Sequence, residues 1–111
     1  NTAISEIKDI FLEKIYEPIE CNFIGEKAPL YVSKDSKLVT TLCEIFNNKT
    51  NSNFGPIAIG GATYARAFPN CVSFGANVPG QKDMCHQTDE FISIDNLILA
   101  TKIYAEAIFE L

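Results

Sequence analysis

The sequence is short of the residues that several functional classes require. Histidine occurs once, at His86. A single imidazole cannot build a histidine-rich zinc site, and no H-E-x-x-H pair is present. Lysine and arginine together number 9 against 14 acidic residues, a formal charge of −5. That balance argues against nucleic acid and anionic membrane as partners, because both need a basic surface. No apolar run approaches the roughly 20 residues that span a bilayer, and no signal-peptide pattern opens the chain. The four cysteines, Cys21, Cys43, Cys71 and Cys85, form no C-x-x-C pair, which argues against a zinc ribbon. Nor is the chain cysteine-dense enough for a disulfide scaffold. Four free thiols in a reducing cytoplasm are expected. Internal repeats and low-complexity tracts are absent. The chain opens at Asn1 rather than at methionine, which leads us to expect a processed product, a designed chain or a fragment.

What is present is the composition of a folded segment. The 111 residues are 47% hydrophobic and 21% charged, enough for one small core. "AISEIKDIFLEKIYE" places Ile4, Ile7, Phe11 and Ile15 at helical spacing, and Pro18 ends that helix. "IECNFIG" reads as a short strand closed by Gly25. Pattern and composition then change, and a domain joint is expected near residue 30. Ser36 caps a second helix whose stripe is Leu38, Leu42 and Ile45, with Val39 and Phe46 beside it. "FGPIAIGG" and "CVSFGA" read as apolar strands, with a short helix over "ATYARAF" between them. Ser93 caps a last helix with an apolar face of Ile94, Leu97, Ile98, Thr101, Tyr104, Ala105, Ile108 and Leu111. The order helix, strand, helix, strand, short helix, strand, helix gives an α/β fold class.

Two places offer chemistry. His86 stands in "DMCHQTDEF" with Asp83, Asp89 and Glu90 close by. Acids can orient a metal-bound imidazole through its second nitrogen; equally, they can form a solvated loop and cap the next helix. Cys85 is adjacent, but on an extended backbone neighbouring side chains point apart, so both would not bind one metal. The second place is "AIGGAT". Gly60 and Gly61 allow close backbone approach by a ligand, or make a plain turn. The motif lacks the Lys-Ser/Thr ending of a phosphate-binding loop. Arg66 follows, placed either to hold a carboxylate or to pair with an acidic neighbour.

Taken together, "APLYVSKDSKLVTTL", "PIAIGGATYARAFPNCVSFGANVPG" and "MCHQTDEFISIDNLILATKIYAEAIFEL" closely resemble the C-terminal end of bacterial zinc-dependent dipeptidases. These belong to the superfamily of carnosinase, aminoacylase, succinyl-diaminopimelate desuccinylase and glutamate carboxypeptidase. The resemblance implies that residues 28–111 are the C-terminal part of an α/β/α catalytic domain, and that residues 1–27 are the last helix and strand of the inserted lid domain. It implies two zinc ions in the complete protein, with manganese or cobalt as alternatives, and a dipeptide substrate. It assigns His86, in the motif H-Q-x-D-E, as a terminal ligand of one zinc, and Gly60 and Gly61 as the wall that touches substrate. Where the family usually has a third glycine, this chain has Ala62. Thr63, Tyr64 and Arg66 match the family pattern without an assigned role. The general base and the other ligands are expected upstream, so no catalytic residue is expected in this chain, which would be inactive alone and self-associate. The alternative is a non-catalytic interaction module built on the same half of the fold.

Overall fold

A computed structural model describes residues 3–75 and 77–111. It divides into two compact units, Asn1–Leu30 and Tyr31–Leu111.

The first unit is one helix and an irregular return segment. Helix α1 spans Ile4–Leu12. It stops well before Pro18, because the chain tightens: Lys14 and Ile15 donate to the carbonyls of Phe11 and Leu12, three residues back, instead of continuing the four-residue ladder. The return segment is held by side chains. The rings of Phe11 and Phe23 meet edge to face at 6.0 Å. Lys8 lies 5.1 Å from the Phe23 centroid and also pairs with Glu26. Gly25 has φ +78, a conformation that favours glycine, and it turns the chain there. No residue of α1 is buried.

The second unit is built on two helices. Helix α2 spans Lys37–Thr50 and helix α3 spans Ile94–Glu110. Both begin on serine caps. Ser36 accepts from the Val39 amide at 3.3 Å, and Ser93 from the Asn96 amide at 3.2 Å. Such a cap contributes about 1 kcal/mol. Asn51, in the left-handed region, closes α2 and donates to the Asn47 carbonyl. The helices pack on each other through Leu42 and Ile45 of α2 and Ile103 and Ala107 of α3. Ala100 is buried on α3 as well. Leu38, Phe46, Leu99, Val72 and Phe74 extend this core. An ion pair between Lys49 and Glu106 joins the helices at the surface, where such pairs contribute little.

The face of α3 that turns inward is not the expected one. Ala100, Ile103 and Ala107 are buried, whereas Ile94 is 75% and Ile108 82% exposed. This helix is apolar on two faces, so periodicity could not choose between them. Only Tyr104 of the expected face joins the packing, and it does so through Phe74.

The α/β expectation is overturned. Among the described residues there is no strand: the elements are three α-helices and a 3₁₀ helix, η1, over Tyr64–Ala67. "IECNFIG", "FGPIAIGG" and the described part of "CVSFGA" are irregular; Ala76, which ends the last, lies outside the described residues. A strand requires a ladder partner, and here side chains take that role. Asn47 pairs with both backbone groups of Phe54, accepting its N–H at 2.8 Å and donating to its carbonyl at 2.9 Å. Thr63, which precedes η1, meets Ser73 of the third segment by a hydroxyl contact of 2.7 Å. Ile57 stays 87% exposed. Ile59 is exposed as well, so no burial enforces the apolar run of "FGPIAIGG", whereas Val72 and Phe74 of the third segment pack on the helices. Among the described residues, no helix is long and apolar enough to cross a membrane.

Candidate functional site

His86 sits in the connection that leads into α3. The connection is turned first at Gly80, where Gln81 donates to the Val78 carbonyl. Its start is tied to α3 by Asn96, whose side-chain Nδ2 donates to Gln81 Oε1 at 3.1 Å. A second turn follows, closed by Gln87 donating to Met84.

Two acids shape that second turn through the main chain. Asp83 Oδ1 accepts the amide N–H of Cys85 at 3.0 Å. Glu90 Oε2 accepts the amide N–H of His86 at 3.2 Å. His86 has φ 61 and Asp89 φ 57. A left-handed conformation costs a non-glycine residue on the order of 1 kcal/mol, and the Glu90 bond offsets that cost at His86. The acids thus hold backbone amides rather than the imidazole nitrogens that sequence spacing suggested. The backbone at His86 is left-handed rather than extended, so the opposite facing of Cys85 and His86 expected on an extended chain does not apply.

The electrostatics follow the same contacts. The Cys85 amide, then its thiol, then the nearby His86 charge hold the Asp83 carboxyl below the usual carboxylate range. In return Asp83 pushes the Cys85 thiol up, first by accepting its hydrogen bond and then by repelling the thiolate. The His86 side chain is exposed. Beside the turn lies an open cavity of about 300 Å³, walled in part by Asn77, Gln81, Met84, Glu90, Phe91 and Ile92.

Gly60 and Gly61 do not line that cavity, and no hydrogen bond joins them to His86 among the described residues. A Cβ at Gly60 would meet nothing within 4 Å, and one at Gly61 only the Ile59 side chain at 3.9 Å. Neither glycine is demanded by the packing of this chain. Arg66 lies on η1. The residues that sequence reasoning missed are Asn47 and Glu90 in their main-chain roles. Nothing in spacing alone signals a side chain that bonds a backbone amide four or seven positions away.

The donor set was tested against a metal. Among the described residues, no group of three or more histidine, cysteine, aspartate or glutamate side chains could hold an ion. An exposed imidazole on a fixed turn fits one terminal ligand position, and the chain supplies no complete coordination sphere.

Comparison with known proteins places this arrangement. Residues 6–110 match the model of peptidase family M20/M25/M40, and the chain belongs to that family. It is 43% identical over 86 residues to "Putative dipeptidase YtjP" of Bacillus subtilis, covering 78% of this chain and 19% of that protein. It is 36% identical over 100 residues to the Beta-Ala-Xaa dipeptidase of Lactobacillus delbrueckii subsp. lactis, covering 90% of this chain and 21% of that protein. The chain therefore spans about a fifth of the length of these curated relatives. No solved structure gives a significant match.

Proposed function

We propose that this chain is the C-terminal part of a metal-dependent dipeptidase. In this reading residues 1–27 close the inserted lid domain and residues 28–111 belong to the catalytic domain. The observation that carries it is the family match across residues 6–110, with His86 inside it. The relative named as a Beta-Ala-Xaa dipeptidase supports a dipeptide substrate.

His86 would be a terminal ligand in a centre of two zinc ions, with manganese or cobalt as alternatives. Such a metal, when bound, polarises the scissile carbonyl and lowers the pKa of its water from about 15.7 toward 7. His86 binds as the neutral imidazole, adding no negative charge that would weaken that polarisation. Gly60 and Gly61 wall the substrate with bare backbone, leaving no Cβ between amide and ligand. The general base and remaining ligands come from outside these residues. The 111-residue chain is accordingly inactive alone. Its four thiols are unpaired with one another, which suits a reducing cytoplasm. Its exposed apolar side chains, Ile98 and Ile108 of α3 among them, drive self-association when the chain is isolated.

The test is hydrolysis of a dipeptide panel by the full-length protein and by this chain, each with added zinc. The reading expects turnover from the first and none above buffer from the second. Turnover by the isolated chain, or an inert full-length protein that binds no metal, contradicts it and favours the interaction module.

A further inference from the structure

We infer that Glu90 is a positioning residue for His86, fixing the imidazole through the backbone rather than through the ring. The inference rests on the reading of His86 as a metal ligand. Three observations support it. The His86 amide donates to Glu90 Oε2 at 3.2 Å. His86 occupies the left-handed region at φ 61, which non-glycine residues adopt uncommonly and at a cost on the order of 1 kcal/mol. The preceding amide, that of Cys85, is held by Asp83 from the other side of the turn. Successive amides are thus clamped by carboxylates on either side of His86. Asp89, also left-handed at φ 57, returns the chain so that Glu90 can reach back.

The direction of Cα–Cβ at His86 follows from this φ. Releasing the amide lets the residue relax to negative φ, and the imidazole then leaves its line. A carboxylate that orients a ligand ordinarily does so by accepting the ring N–H. Here the backbone is held instead, and among the described residues no hydrogen bond occupies either ring nitrogen. Glu90 also contributes to the wall of the adjacent cavity.

The test uses the full-length protein with Glu90→Ala, Glu90→Gln and His86→Ala. Zinc affinity is read by chelator competition and folding by thermal melting, both independent of turnover. Loss of an outer partner weakens metal binding by about 10–100-fold, and that loss is expected for Glu90→Ala with the melt unchanged. Glu90→Gln keeps a carbonyl oxygen to accept the His86 amide and is expected to restore most of the affinity. In the 111-residue chain, the strong intraresidue Hα–HN NOE of a positive φ at His86 should fade in Glu90→Ala and persist in Glu90→Gln. If His86→Ala loses zinc but Glu90→Ala binds it normally, the positioning role is wrong and the ligand reading stands. If His86→Ala keeps its zinc, the ligand reading itself fails. A Glu90→Gln variant as weak as Glu90→Ala overturns the backbone route in favour of the carboxylate charge.

Discussion

The hydroxyl of Tyr104 donates to the main-chain carbonyl of Phe74 at 3.3 Å, while the two rings meet edge to face at 5.9 Å. Phe74 in turn meets Phe46 at 6.4 Å. One irregular segment is thereby pinned between the two helices. Tyr104→Phe removes the hydrogen bond and keeps the ring contact, so it should cost about 1 kcal/mol in urea unfolding.

The buried face of α3 makes a sharper prediction. Ile103 is 2% exposed and Ile108 is 82% exposed. Ile103→Ala should destabilise this chain by about 2–5 kcal/mol, enough to unfold the second unit. Ile108→Ala should change it by no more than about 0.5 kcal/mol. Equal costs at the two positions would mean that α3 turns the other face inward.

Gly60 and Gly61 are predicted to be dispensable for folding. Open space surrounds both Cβ positions, and neither has a positive φ. Gly60→Ala should leave the melting temperature of this chain unchanged or slightly raised, because alanine restricts the unfolded chain. If Gly60 walls the substrate as proposed, the same change in the full-length protein should raise KM for dipeptides, since the added methyl group would then intrude on the substrate side. A fall in melting temperature with unchanged KM would make the pair a plain turn.

Cys85 provides a pH readout of the His86 turn. Its thiol is pushed up, chiefly by the hydrogen bond to Asp83 and then by the charge of that carboxylate. Less thiolate is therefore present at a given pH, and thiolate is the species that reacts. Iodoacetamide should alkylate Cys85 more slowly than an ordinary exposed thiol near neutral pH, with the rate profile displaced to higher pH. Asp83→Asn removes the charge, moves the profile back down and speeds the reaction. An unchanged profile would show that Asp83 does not face the thiol.

Much of the helical part was legible in the sequence. Ser36 and Ser93 announce their helices because a cap is a local device, read from a hydroxyl residue ahead of a periodic segment. Of the α2 stripe, Leu42 and Ile45 are buried as their spacing requires, Leu38 is half-buried, and Val39 beside it is buried. The strands were misread for a physical reason. Short apolar runs such as "FGPIAIGG" carry no record of whether a neighbour exists to pair with them, and here Asn47 takes up the backbone of Phe54 instead. The α3 face was misread because both sides are apolar. At the site, His86 stood out as the sole histidine, but its left-handed backbone and the grip of Glu90 depend on turn geometry that residue type does not encode.

The central claim is that His86 holds metal, and metal content tests it directly. Full-length wild-type protein and His86→Ala would be loaded with zinc, desalted and analysed for zinc per chain, with circular dichroism to verify folding. The account predicts two zinc ions in the wild type and loss of one, or a sharply weakened second site, in a folded variant. A folded His86→Ala protein that retains two tightly held zinc ions would contradict it.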